Sequence, residues 1–333
     1  MPRSVEASAP ARVCFGGESL DWMVQGPSVV GAIPLRARAT IESLPTIGSR
    51  YIIYINSKTP TNVSLLKEWD ELRWYRDPYL KYIESAIDTV RRDSTEPCSF
   101  TVVIESDIPT KAGVSSSAAV TLATIAAGHA FFGHQTNITD ICETAYTVER
   151  EKLKTGAGRM DFYACGVGGV LFLNTNKFPV DYASYQFPEN MSIVLVDTLT
   201  PHETKSFISS KQQRFQNKDE DIIYYADVAE GMVHRMHELL PAFSDNREEI
   251  GDLMTRFHAL LRDYVGCSTA LLDECVDIAR KNGAMGAKLT GSGMGGCMFA
   301  LVDPDYMEPV ARELEKLPVK VYTTTITNEG VAF

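Results

Sequence analysis

The sequence predicts an α+β protein of two lobes, and three observations carry that expectation. Its 333 residues are about twice a common domain of roughly 150. Short runs rich in β-branched and aromatic residues alternate with longer helical patterns. Neither an internal repeat nor a low-complexity linker divides the chain.

In chain order, Ala11–Trp22 reads as a short strand ending in a glycine turn. Tyr51–Ile55 and Phe100–Ile104 have strand composition, with Pro78–Arg91 a helix between them. A Gly/Ser turn, Pro109–Ser117, precedes Ala118–Phe132, whose Ala, Leu and Ile content suits a buried helix. Gly168–Leu173 and Ile193–Asp197 follow as strands, then Asp221–Leu240 and Arg247–Asn282 as amphipathic helices, the second broken near Gly266. The end reads as strand Gly296–Val302, helix Tyr306–Leu317 stopped by Pro318, and strand Val319–Thr325. A boundary near Lys177–Tyr182 divides this into lobes 1–178 and 179–333.

Charge narrows the partners. With 32 basic and 43 acidic side chains the net charge is −11. Nucleic acids and anionic membranes would be repelled, although an anionic ligand in a locally positive pocket remains compatible. The seven cysteines are scattered, odd in number and without a CxxC pair. They fit neither a disulfide framework nor a zinc site and point to a reducing compartment. Met1–Pro10 has no apolar leader, and Ala118–Phe132 is too short to span a bilayer. A cytoplasmic protein is expected, and sequons at Asn62, Asn137 and Asn190 carry no weight.

Three segments carry chemistry. In Pro109-Thr-Lys-Ala-Gly-Val-Ser-Ser-Ser-Ala118 a glycine turn and three serines lead into a helix. A helix start offers unpaired N–H groups and a positive dipole end to an anion, and serine hydroxyls can meet phosphate oxygens or a hard cation. Simple helix capping by Ser115–Ser117 is the alternative. The loop is not a Walker A motif, because no GK[ST] follows the glycine. In Lys288-Leu-Thr-Gly-Ser-Gly-Met-Gly-Gly296, GxGxxG is satisfied but a strand follows instead of a helix, which argues against a dinucleotide fingerprint. Close backbone approach to phosphate, or a tight turn, remain for those glycines. In Ala11-Arg-Val-Cys-Phe-Gly-Gly-Glu-Ser-Leu-Asp-Trp22, Glu18 and Asp21 on a loop suit hydrogen bonds from a polyol, or are a solvated acidic turn.

In this order and spacing, the three segments resemble the signature of the GHMP kinases, a family that includes galactokinase, homoserine kinase, mevalonate kinase and phosphomevalonate kinase. The resemblance runs from Pro10 to Val331. It implies an N-terminal lobe like the second domain of ribosomal protein S5, a ferredoxin-like C-terminal lobe, and an active site between them. Glu149-Arg-Glu-Lys-Leu-Lys-Thr-Gly-Ala-Gly-Arg-Met-Asp161 resembles the AEHxxxGxxCGxMDQ segment of galactokinases, and the following Phe-Tyr-Ala-Cys-Gly-Val-Gly-Gly169 resembles the QDxYAxxxGG-like run of heptose-phosphate and glucuronate kinases. Gly17-Glu-Ser-Leu-Asp-Trp22 is similar to galactokinase GEHxDY with Ser19 in place of His, whereas mevalonate kinases (GEHAVVxG) lack the Asp. These features favour a kinase for the anomeric (C1) hydroxyl of a sugar or sugar phosphate. A mevalonate-like alcohol kinase and a catalytically silent sugar sensor are the alternatives.

The resemblance also implies roles. Gly113, Val114, Ser115, Ser116, Ser117 and Ala118 would wrap the phosphates of ATP, with Lys111 adding charge. Ser117 and Glu149 would hold Mg²⁺. Asp161 would accept or position the acceptor hydroxyl's proton, and Arg12 would stand beside it. Glu18, Ser19 and Asp21 would read the sugar hydroxyls, and Gly291, Ser292, Gly293 and Gly295 would line the opposite side. Trp69, Trp74 and Tyr79 are candidates for the adenine wall, with core or surface packing the more common role for any one such residue. Lys205, Lys211 and Arg214 could receive a second phosphate or simply form an exposed basic helix face, and His202 could touch substrate. The partner is then a small sugar or sugar phosphate, on a monomer or homodimer.

Overall fold

The computed structural model describes residues 3–45, 50–58, 62–72, 77–78, 80–92, 97–200 and 204–333, with backbone alone at 204–208. Trp74, Tyr79, His202 and the Lys205 side chain lie outside the described residues.

The first half is built on strands β1 (Ser4–Gly16), β2 (Pro27–Leu44), β3 (Ile52–Ser57), β4 (Val63–Glu68) and β5 (Ser99–Ser106), with a short α1 (Leu20–Met23) and α2 (Lys81–Arg91) among them. Helices α3 (Ser116–Phe132), α4 (Ile138–Thr147) and α5 (Met160–Val167) then lead to β6 (Val170–Asn174) and β7 (Asp181–Tyr185). These seven strands form one sheet in the order β4-β3-β5-β2-β6-β7, with β1 paired along β2. Only β3 and β5 run parallel; the other pairings are antiparallel.

The second half contains β8 (Ser192–Asp197), helices α6 (Thr204–Gln216), α7 (Glu220–Leu239), α8 (Arg247–Leu260) and α9 (Ala270–Lys281), strands β9 (Gly286–Leu289) and β10 (Cys297–Val302), α10 (Pro304–Leu314) and β11 (Lys320–Thr324). Its four-stranded sheet runs β11-β8-β10-β9, antiparallel throughout. Numbered within the lobe this is the 4-1-3-2 order of a βαββαβ, ferredoxin-like unit, with the first crossover enlarged to four helices. The fold class is therefore the two-lobed one expected. Gly266 takes the left-handed conformation (φ 71°) after the π-type turn Leu261–Val265, which breaks the long helical run as its position suggested.

Two parts of the first sheet differ from the sequence reading. The segment read as a short strand is the end of a 13-residue β1, and its partner β2 has 18 residues that patterning did not reveal. The first seven residues of β2 are buried on both faces, so the period-two alternation that betrays a half-exposed strand is missing. The expected division at 178/179 falls inside the β6–β7 hairpin, while the second sheet begins at Ser192.

Helix α3 is anchored inside the lobe. Its Ala, Thr, Leu and Ile side chains are buried around most of its circumference, as expected of a helix inside a lobe. That burial stabilises the helix by about 25 cal/mol per Å² of apolar surface removed from water.

Candidate active site

Strand β1, the turn ahead of α3 and the start of α5 meet at one side chain. Arg12, buried in β1, donates from Nε (2.8 Å) and Nη2 (2.6 Å) to Asp161 Oδ1, and from Nη1 to the Gly113 carbonyl. Its backbone N–H donates to the Val114 carbonyl at 3.2 Å. A register shift between Pro10 and Ala11 immediately precedes it, a local device that re-aims a strand side chain. Asp161 sits in the first turn of α5 with its side chain 30% exposed, which leaves it open to a reactant. Asp161 raises the Arg12 pKa against the lowering effect of burial, the largest single influence on it, so the guanidinium stays charged.

The serine turn and the late glycine loop pack backbone to backbone. Gly113 has φ +78°, and a Cβ there would lie 2.6 Å from the Thr290 carbonyl oxygen. Gly291, at φ +78° as well, would place a Cβ 2.5 Å from the Gly113 oxygen. Only glycine fits both positions. Gly293 lies against Cys267 and Gly295 against Thr200, again through backbone. Ser115 occupies the N-cap position of α3 with φ 63°, yet its side chain makes no capping bond. Its Oγ is buried without a hydrogen-bond partner among the described residues. Helix capping therefore does not account for this hydroxyl, whereas an anion seated on the helix start would. Lys111 is exposed at the edge of the turn, Val114 is buried, and Ser116, Ser117 and Ala118 form the first turn of α3.

Glu149 lies in a π-type turn, Val148–Lys152, that continues α4. It is buried and accepts hydrogen bonds from Ser117 Oγ (3.3 Å) and Thr121 Oγ1 (3.2 Å). Burial, and then the nearby charge of Asp161, raise its pKa to about 8. A carboxylate so reluctant to ionise beside a serine hydroxyl is a fitting ligand for a divalent cation, which would stabilise the charged form. Among the described residues no group of three His, Cys, Asp or Glu could hold a metal alone. Mg²⁺ suits that arrangement, since it keeps waters and phosphate oxygens and takes one or two protein ligands.

The carboxylates expected to read a polyol are otherwise engaged. Glu18 forms a buried ion pair with Lys288, whose Nζ also donates to the Cys14 (2.9 Å) and Leu289 (2.8 Å) carbonyls. Asp21 accepts from the N–H groups of Met160 (3.2 Å) and Trp22 (2.9 Å). Burial, followed by repulsion from Asp161, raises its pKa to about 6. It thus holds the start of α5, where Asp161 stands, and a Cβ on Gly158 would collide with it. Ser19, at φ 71°, accepts a hydrogen bond from Lys211 (3.2 Å), and the same ammonium donates to the Ser292 carbonyl (3.2 Å).

Sequence reasoning missed Lys288, Thr121 and Thr290, whose hydroxyl accepts from the Cys14 N–H at 3.1 Å. Lys211 is buried and bonded to both loops, not part of an exposed basic face. Arg214 is occupied by Asp219 and by the Tyr264 and Val265 carbonyls. Trp69 packs edge-on against Phe100 and Phe132, with the Arg91 guanidinium over its ring. These contacts are the packing that was the alternative to an adenine wall for Trp69.

No helix among the described residues is long and apolar enough to cross a membrane. Comparison with known proteins fits the geometry. The family description "GHMP kinases N terminal domain" matches residues 81–169, and "GHMP kinases C terminal" matches 236–320. A mevalonate kinase of Pyrococcus abyssi is 32% identical over 340 residues, covering 99% of this chain and 98% of the relative. One from Pyrococcus horikoshii is 31% identical at 99% and 98% coverage. Among solved structures, the Methanococcus jannaschii mevalonate kinase superposes with a TM-score of 0.81 at 25% identity, covering 98% of this chain and 99% of that one. Lactococcus lactis galactokinase complexed with galactose gives 0.85 at 20% identity and 99% and 95% coverage, a likeness of fold alone.

These relatives overturn the expected anomeric sugar kinase. Of the carboxylates that suggested a sugar, Asp21 accepts from backbone N–H groups through both oxygens and Glu18 is paired with Lys288 through Oε1. The chain belongs to the GHMP kinase family.

Proposed function

We propose that this kinase uses ATP and Mg²⁺ to phosphorylate a hydroxyl of mevalonate or a closely related hydroxy acid. The observation that carries the phosphoryl-transfer reading is the contact of Arg12 with both Asp161 Oδ1 and the Gly113 carbonyl. One guanidinium ties the group that would face the acceptor to the turn that would face the nucleotide. The near-full-length similarity to mevalonate kinases supports the choice of acceptor.

In this reading the N–H groups opening α3 and the hydroxyls of Ser115, Ser116 and Ser117 receive phosphate oxygens, and the helix dipole favours their charge. Both Arg12 bonds to Asp161 fall on Oδ1, so Oδ2 accepts the acceptor's hydroxyl hydrogen and orients its oxygen toward the γ-phosphorus. The guanidinium steadies charge on the transferring group while keeping Asp161 fixed. Ser117 and Glu149 are the residues that would hold Mg²⁺, which when bound neutralises phosphate charge. Asp21, through the Met160 N–H, keeps the first turn of α5 in place.

The test is ADP release by the purified protein with ATP, Mg²⁺ and a panel of mevalonate, phosphomevalonate, galactose, heptoses and uronates. Turnover concentrated on mevalonate is expected. Turnover on a sugar with none on mevalonate contradicts the reading.

A further inference from the structure

Beyond β11 the chain leaves the second sheet and crosses to the first lobe, where residues 326–332 lie against β1, β2 and the end of α5. Three backbone hydrogen bonds close a ring there. The Gly169 N–H donates to the Thr327 carbonyl (2.8 Å), the Thr327 N–H to that of Ala32 in β2 (2.9 Å), and the Ala32 N–H to that of Gly169 (3.0 Å). Further along, the Val331 N–H donates to the Gly166 carbonyl in the last turn of α5 at 2.9 Å. Ala332 then exchanges two bonds, of 2.8 and 2.9 Å, with Ser8 of β1. Backbone meets backbone along this path: a Cβ on Gly168 would lie 2.5 Å from the Gly330 nitrogen, and one on Gly330 would collide with the Gly166 carbonyl oxygen.

One side chain fastens this segment. Arg36 of β2 is 8% exposed and turns all three guanidinium nitrogens to it and to β1. Nε donates to Ser8 Oγ (3.0 Å), Nη1 to the Glu329 carbonyl (3.2 Å), and Nη2 to the carbonyls of Ser8 (3.1 Å) and Gly330 (2.6 Å). The ion pair of Arg36 with the Glu329 side chain reaches a carboxylate 64% exposed and adds little, so the bonds to Ser8 and to the two tail carbonyls do the holding. In the β1–β2 ladder Arg36 stands opposite Pro10, at the register shift that precedes Arg12.

The tail thereby joins β1 to α5, the two elements that bring Arg12 to Asp161. Helix α5 has eight residues, too few to hold its shape without tertiary support. Asp21 bonds its first turn through the Met160 N–H, and Val331 takes up a carbonyl at its other end, one of the groups a helix C-terminus leaves unpaired. We propose that Arg36 is a positioning residue: by fastening residues 326–332 across β1 and α5, it sets the geometry of the Arg12–Asp161 pair and so the rate of phosphoryl transfer, not the binding of substrates. The inference rests on the role given to Asp161 above. A displacement of about 1 Å at a reacting group can cost about 10²-fold in rate.

The experiment compares the parent, Arg36→Met, a chain ending at Glu329, Asp161→Asn and the double variant of Arg36→Met with Asp161→Asn. Each is assayed with ATP, Mg²⁺ and the acceptor that the parent turns over fastest in the panel above, mevalonate on the present reading. The shortened chain keeps Ile326 and Thr327 and loses only the contacts from Gly330 onward, so it serves where Arg36→Met fails to fold. In both, kcat is expected to fall about tenfold with KM for either substrate within about twofold of the parent. Amide hydrogen exchange should quicken across residues 160–168 while α3 keeps its protection. On the Asp161→Asn background Arg36→Met should cost less than about twofold more, because the carboxylate it positions is gone. Parent-level kcat in both Arg36→Met and the shortened chain overturns the proposal and leaves the role of Asp161 standing. So does an equal fold-loss from Arg36→Met with and without the Asp161 carboxylate. Near-parent turnover in Asp161→Asn overturns the reading beneath it instead.

Discussion

Both hydrogen bonds from the Arg12 guanidinium to Asp161 land on the same carboxylate oxygen, Oδ1, at 2.8 and 2.6 Å. The Asp161 side chain is 30% exposed, and in the proposed reaction its second oxygen meets the acceptor alcohol. This asymmetry makes the two residues separable by mutation.

Asp161→Asn keeps an oxygen but loses the charge that attracts the hydroxyl hydrogen. We expect kcat to fall about 10²–10⁴-fold with nucleotide affinity near that of the parent. Steady-state kinetics and nucleotide titration measure the two separately. Near-normal turnover would remove Asp161 from the chemistry.

Arg12→Lys retains a positive charge but not the planar fork that reaches Asp161 Oδ1 and the Gly113 carbonyl together. A loss of about 10²-fold in kcat is expected, larger than the change in KM for either substrate. An effect confined to KM would make Arg12 a binding group only.

Gly113→Ala tests the packing of the two loops. The added methyl meets the Thr290 carbonyl at 2.6 Å in a backbone region unfavourable to alanine. The substitution should destabilise the fold by about 1–3 kcal/mol and raise KM for ATP. Denaturant unfolding and ATP titration would reveal it, and an unchanged KM would separate this turn from nucleotide binding.

Glu149 gives a pH dependence with a definite sign. Its pKa lies at about 8 in the folded chain against an ordinary value of 4.5. Across that window the native state binds more protons than the unfolded state, so its contribution to stability is lost as pH rises from 4.5 through 8. The loss is bounded by roughly 5 kcal/mol. Glu149→Gln should therefore be the more stable protein at alkaline pH without divalent cations, and should bind Mg²⁺ more weakly. Added Mg²⁺ should recover stability in the parent and not in the variant. Thermal melts across pH, with and without Mg²⁺, measure this, and parallel pH profiles for the two proteins would contradict it.

Much of this arrangement was legible in the sequence because it is local. A glycine followed by three serines and an apolar run specifies a strand–turn–helix, and α3 begins at Ser116 accordingly. Asp161 and Glu149 were reached through their fixed interval and the family resemblance. What stayed hidden is non-local: Glu18 finds its cation 270 residues away in Lys288, and Lys211 is 192 residues from Ser19. No spacing rule relates such positions. The sugar expectation failed for the same reason. Asp21 looks like a hydroxyl reader beside Glu18 in sequence, but its oxygens hold the Met160 and Trp22 N–H groups. Strand β2 escaped because burial on both faces erases alternation.

The most direct measurement is phosphorus NMR of the product formed from ATP and mevalonate. The account predicts a phosphate monoester whose resonance is split by the two protons of a methylene, together with one equivalent of ADP. No ester from mevalonate, with an anomeric sugar phosphate formed instead, would contradict it.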